Sequence, residues 1–164
     1  MTEEKFSRIE NWFNADKRRL TALKITDKAT AAIGYAAFAV LEIYLLIRGD
    51  ARIIRCTLVP LTAFVLTTVI RSTINAPRPY EKLNITPLIK KNTKGKSFPS
   101  RHTACIVIIA AAWLYVNVPV GIFLMFVSAV IMVIRPLSGV HFPRDVAAGA
   151  VLSAVCAVVG FIII

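Results

Sequence analysis

Residues 97–116 read SFPSRHTACIVIIAAAWLYV, a polar cluster that runs without a break into apolar sequence. The apolar part alone, 102–116, falls short of the about 20 residues that a membrane-spanning helix needs, within a tolerated range of about 17–25. Starting the helix near Pro99 restores the length and places Ser100, Arg101 and His102 in its first turn. Ionisable groups at the border of a span are costly and mark function.

Four further apolar segments accompany this one, over residues 29–47, 53–70, 118–134 and 146–164. The chain has 164 residues, 57% of them hydrophobic, and a mean hydropathy of +0.68. Those values lie outside the range of soluble domains. The expected fold is therefore all-α, an integral membrane helical bundle of about five spans. Asn117-Val118-Pro119 leaves room only for a tight turn, so the third and fourth spans form an antiparallel hairpin. In the last span Gly149 with Ser153, and Ala150 with Ala154, make small-xxx-small pairs suited to close packing. Glu42 is a lone carboxylate within the first span and receives no function.

Ahead of the spans, Phe6, Ile9, Trp12, Phe13, Leu20 and Leu23 recur at near-helical spacing among charges. This pattern predicts an amphipathic helix lying on the membrane surface. The chain thus divides into an interfacial helix, 1–27, and a transmembrane domain, 28–164. The N-terminus is acidic where a signal peptide would be basic, so cleavage is not expected. Cys56, Cys105 and Cys156 lie in or beside apolar runs at no metal or disulfide spacing and read as small buried hydrophobes.

The net charge of +11 arises from 20 Lys+Arg against 9 Asp+Glu. In a chain this apolar, such a surplus faces anionic lipid or an anionic substrate rather than nucleic acid. Five spans place the N-terminal segment, residues 71–101 and residues 135–145 on one side of the membrane. Three polar clusters gather there: RSTINAPRPY (71–80), PSRH (99–102) and RPLSGVHFPRD (135–145). Both histidines of the chain belong to them.

Arg71, Arg78 and Arg135 offer planar, permanently charged forks suited to phosphate oxygens. The start of the third span adds free backbone N–H groups and a helix dipole, and Ser100 adds a hydroxyl. His141 precedes Asp145 by four residues, with Pro143 fit for a first helical position. The carboxylate would then hold one imidazole nitrogen and leave the other free as a nucleophile. His102 would protonate the leaving oxygen and later activate water. Only Glu81 and Asp145 lie near the clusters, too few carboxylates for a two-metal phosphohydrolase. These residues fit phosphoryl transfer through a phosphohistidine, with no metal and no cofactor.

The clusters resemble the three-part signature of the type 2 phosphatidic acid phosphatase superfamily: Lys-x6-Arg-Pro, Pro-Ser-Gly-His and Ser-Arg-x5-His-x3-Asp. Here they stand as Arg71-x6-Arg78-Pro79, Pro99-Ser100-Arg101-His102 and Arg135-x5-His141-x3-Asp145, spread over about residues 50–160. Arg71 replaces the usual lysine, Arg101 the glycine and Ile134 the serine. The resemblance implies a membrane lipid phosphatase in which His141 attacks phosphorus, Asp145 orients it and His102 serves as acid and then base. It further implies that Arg71, Arg78, Ser100, Arg101 and Arg135 hold the phosphate. Family members commonly have six spans, so this chain resembles a short form lacking the first.

The implied substrates are lipid phosphates or diphosphates: prenyl (undecaprenyl-type) phosphates, phosphatidylglycerol phosphate or phosphatidic acid. Lys82, Lys90, Lys91, Lys94 and Lys96 stand ready to attract anionic heads or to anchor their loop. Seventeen of the 20 Lys+Arg lie on the side of the clusters. The positive-inside rule puts that side in the cytoplasm, of a bacterial cell membrane in this reading. Two alternatives share the sequence: a lipid phosphotransferase using the same site, and a non-catalytic anionic-lipid-binding membrane protein. The related vanadate haloperoxidases are soluble, and five apolar spans argue against their chemistry.

Overall fold

The structure is a computed structural model and describes residues 2–83, 85–91 and 93–163. Met1 and Ile164, the outer limits of the expected segments, lie outside the described residues. Among the described residues seven α-helices follow one another: α1 (Glu3–Asn14), α2 (Lys17–Arg48), α3 (Ile53–Ile74), the short α4 (Pro79–Lys82), α5 (Arg101–Val116), α6 (Val118–Leu137) and α7 (Pro143–Val158). A π-helical turn, Val159–Ile163, extends α7. There is no strand among the described residues, and the all-helical membrane bundle expected from the sequence is observed.

Among the described residues four helices are long and apolar enough to cross a membrane: α2, α3, α6, and α7 with its π-turn. Large apolar side chains line their outer faces, among them Ile43, Ile47, Leu58, Phe123, Phe126 and Val151, all more than half exposed. α5 is shorter than expected. It begins at Arg101 rather than Pro99, because Ser100 has extended backbone and serves as the N-cap. Its 16 residues span ~24 Å. The shortness is tolerated because α5 is the central helix. Thr103, Ala104, Ile106 to Ala110, Ala112 and Trp113 are buried among α2, α3, α6 and α7. A helix walled by protein need not match the bilayer as a lipid-facing one must.

Small residues make that centre possible. A Cβ on Gly149 would lie 2.6 Å from the Ser100 carbonyl oxygen, so only glycine lets α7 cross the start of α5 here. One turn on, the Ser153 hydroxyl donates to Ala104 O at 2.8 Å. Gly149 and Ser153 are thus the pair turned toward α5. At the far side, Trp113 Nε1 donates to Ala37 O at 2.9 Å and ties α5 to α2.

The N-terminal segment is broken in two. Asp16 has extended backbone, and its carboxylate accepts from Arg18 N at 2.8 Å, so a new helix starts at Lys17 and continues through the first span. The amphipathic face of α1 is also largely covered by protein. Phe6 is fully buried and packs with Phe13, Leu23, Leu88 and Ile134. α1 therefore braces the loops before α5 and after α6. Trp12 is left half exposed, with Arg19 stacked on its ring at 4.3 Å.

Candidate active site

The three polar clusters converge at one end of the bundle, where α3 and α6 end and α5 and α7 begin. Backbone carbonyls knit them together. Arg71, on the last turn of α3, donates through Nη1 to Pro99 O at 2.8 Å. Arg78 donates through Nε to Gly95 O and through Nη1 to Val140 O, both at 3.1 Å, linking the first cluster to the loop that precedes the second and to the third. The Glu81 carboxylate accepts from Arg78 N at 2.8 Å and from Gly95 N at 2.8 Å, which fixes the same corner. Each guanidinium carries five N–H donors, so Arg71 and Arg78 retain free ones.

Arg135 comes from the last turn of α6 and is 2% exposed. Its Nη2 lies 3.1 Å from Asp27 Oδ1, a partner on α2 outside the expected site, and its Nε has no hydrogen-bond partner. The start of α5 supplies the opposite wall. No side chain caps its first-turn amides, and Ser100 Oγ accepts from Thr103 Oγ1 at 3.1 Å. Uncapped N–H groups at a helix N-terminus form an anion site. Ser100 N donates to Asp145 O at 2.8 Å, joining α5 to α7.

His141 and Asp145 are both 1% exposed in their side chains. His141 Nδ1 lies 3.8 Å from Asp145 Oδ2, beyond hydrogen-bond range. Ser97, which sequence reasoning passed over, stands between them: its Oγ donates to Asp145 Oδ2 at 2.5 Å and is 3.4 Å from His141 Nδ1. Asp145 Oδ2 also accepts from Phe142 N at 2.9 Å. Burial pushes the His141 imidazole down to about 4, against the pull of Asp145; Arg78, Arg135 and Arg71 push it further down. The ring is therefore neutral near pH 7, and a nitrogen lone pair is available.

His102 and Arg101 lie toward a second feature, a groove of about 600 Å³ between α2, α3 and α5. Its walls include Ala31, Gly34, Phe38, Pro60, Leu61 and Ile109. Tyr35, Leu61 and Phe64 on its rim are 67%, 53% and 41% exposed, so it opens sideways toward the bilayer. His102 is half-buried at its head. Arg101 is exposed, its guanidinium 5.5 Å from the centre of the Phe64 ring. Arg101 is thus set apart from the three buried arginines. In the loop before α5, burial, then Arg135 and Arg78, push Lys91 down to about 8, with Asp27 opposing. Among the described residues no three His, Cys, Asp or Glu side chains gather as a metal-binding group.

Residues 52–164 match the sequence model of the PAP2 superfamily. No curated protein matches the chain. Among solved structures, that of LpxE from Aquifex aeolicus superposes with a TM-score of 0.74 at 27% identity, covering 96% of this chain and 92% of that one. A transmembrane PAP2-type phosphatidylglycerolphosphate phosphatase from Bacillus subtilis superposes with a TM-score of 0.59 at 19% identity, covering 92% of this chain and 90% of that one. At that identity the second likeness concerns the fold alone.

Proposed function

The chain belongs to the PAP2 superfamily and is a membrane lipid phosphatase, a hydrolase of phosphoester bonds, and on that premise we propose that it works through a metal-free phosphohistidine at His141. The observation that supports the lipid reading is the position of His102, which lines the apolar groove and stands in the uncapped first turn of α5, two residues after Ser100 of the polar cluster. A phosphate held by the polar cluster leaves its hydrocarbon tail in the groove.

In this reading the phosphate oxygens lie against the three buried arginines, Ser100 and the first-turn amides of α5. These groups are fixed before substrate arrives, which is how charge developing in a transition state is stabilised most effectively. The neutral His141 attacks phosphorus through Nε2. The bond to the lipid oxygen breaks, and His102, beside the groove, protonates that oxygen. His102 then takes a proton from water, which displaces His141 from phosphorus. Asp145 holds the charge that forms on the imidazole. Arg101, at the mouth of the groove, contacts the exposed side of the head.

The substrates proposed are prenyl phosphates or diphosphates, phosphatidylglycerol phosphate and phosphatidic acid. The site is proposed to face the cytoplasm of a bacterial cell membrane, on the strength of the Lys and Arg distribution. The test is trapping with ³²P-labelled lipid phosphate in the presence of chelator. A base-stable, acid-labile phosphoenzyme is expected, absent in His141→Gln. Undiminished turnover by His141→Gln would overturn the proposal.

A further inference from the structure

Ser97 is fully buried and lies outside the three-part signature, yet it is nearer to both members of the His141–Asp145 pair than they are to each other. We infer that Ser97 is the hydrogen-bond partner of His141 and fixes its tautomer, a positioning residue for the phosphohistidine chemistry proposed above.

Donor and acceptor counting leads to this assignment. A carboxylate accepts only, with two lone-pair sites on each oxygen. Both sites on Asp145 Oδ2 are occupied, one by Ser97 Oγ and one by Phe142 N. Asp145 Oδ1 has no hydrogen-bond partner, and Arg144 Nε stands 3.7 Å from it. The serine hydroxyl has one proton, and it is directed to Asp145. Toward His141 the serine can therefore only accept. Nδ1 must then carry the proton, and the lone pair lies on Nε2. The separation of 3.4 Å is long for such a bond, as catalytic hydrogen bonds commonly are before substrate is bound.

The chain before Ser97 is shaped to hold it there. Gly95 and Lys96 both have left-handed backbone, with φ of 63° and 52°. The first is pinned by Glu81 on its N–H and the second by Asn75 Oδ1 on its own. Ser97 N then donates to Ala76 O at 2.9 Å. The hydroxyl is thus fixed from the backbone outward.

During phosphoryl transfer no proton needs to travel along this chain of bonds. The Nε2–P bond forms, the P–O bond to the lipid breaks, and the proton for the leaving oxygen comes from His102. The positive charge arising on the imidazole is shared through Nδ1–H to Ser97 Oγ, and through the serine proton to Asp145.

The chain has two histidines, so [¹⁵N]histidine labelling in detergent micelles resolves the tautomer directly. At pH 7 without substrate, His141 is expected as a single Nδ1–H tautomer. In Ser97→Ala a second tautomer appears, while the His102 signals stay in place and report an intact fold. With phosphatidic acid in mixed micelles, kcat of Ser97→Ala falls about 10- to 100-fold with KM within about twofold, the loss expected of one charge-assisted hydrogen bond. Ser97→Thr, which keeps the hydroxyl, restores the single tautomer. An unchanged ¹⁵N pattern in Ser97→Ala, or a kcat within twofold of the parent, overturns the assignment. The spectra are read without turnover, so they judge Ser97 even if His141→Gln disproves the phosphohistidine.

Discussion

Asp27 and Arg135 meet at 3.1 Å, with side chains 12% and 2% exposed, and join the start of the first span to the end of α6 beside the anion pocket. Asp27 lies ahead of residues 52–164, which match the superfamily, so in the proposed site Arg135 is oriented by a residue outside that matched stretch. Removing one partner of a buried pair leaves an uncompensated charge, at a cost of about 3–5 kcal/mol. Asp27→Ala is expected to unfold at lower temperature and to raise KM for lipid phosphate about tenfold or more. Asp27→Asn, which keeps a hydrogen-bond acceptor, should lie between the parent and the alanine variant. Thermal unfolding and steady-state kinetics in the same detergent check both, and an unchanged KM in Asp27→Ala would disprove the orienting role.

The pH profile should carry two marks. In the proposed mechanism His141 attacks only when neutral, and its pKa is pushed down to about 4. Its contribution to kcat/KM is therefore full well above pH 4 and declines as pH falls through about 4. If Lys91 draws the phosphate in that mechanism, it does so only when protonated, and its pKa is pushed down to about 8. KM should rise as pH increases through about 8. Lys91→Arg retains its charge in that range and should remove the alkaline step, while Lys91→Gln should show the high KM at every pH.

The groove makes a prediction about tails. Ala31 lines it from α2, and a phenylalanine there would occupy space that the reading gives to hydrocarbon. For Ala31→Phe, kcat/KM with a long-chain lipid phosphate should fall at least tenfold, equivalent to about 1.4 kcal/mol of lost binding. With a tail-free aryl phosphate the same variant should lose less than threefold. Equal losses on the two substrates would show that the groove does not hold the tail.

Sidedness is open to chemical labelling. Lys94 lies in the loop on the side of the site and is exposed. Lys94→Cys, with Cys56, Cys105 and Cys156 replaced, should react with a membrane-impermeant maleimide only after the cells are opened. Labelling of intact cells would place the site on the outer face.

The legible parts of this molecule were those written as local spacing. Hydropathy marks the spans, and the intervals from Arg71 to Arg78 and from His141 to Asp145 survive as helix-end geometry. Contacts between distant elements were not legible. Nothing near Asp27 in the sequence points to Arg135, and nothing near Ser97 points to Asp145, because both relationships arise only when α2, α6 and α7 pack around α5. The residues of the N-terminal amphipathic pattern form two helices, Glu3–Asn14 and the start of Lys17–Arg48, and Phe6 and Phe13 pack with Leu23, Leu88 and Ile134, since periodicity alone does not distinguish a lipid surface from a protein one. α5 starts at Arg101 rather than Pro99 for a related reason: a helix that meets mainly other helices need not reach the length that a lipid-facing one requires.

Gly139 has φ of +74°, and a Cβ there would lie 2.6 Å from the Phe6 ring. α1 is thus the helix that seats the loop between α6 and α7, the loop that carries His141. Order at the proposed site then depends on the docking of α1 against that loop as well as on the packing of α6 and α7 around α5.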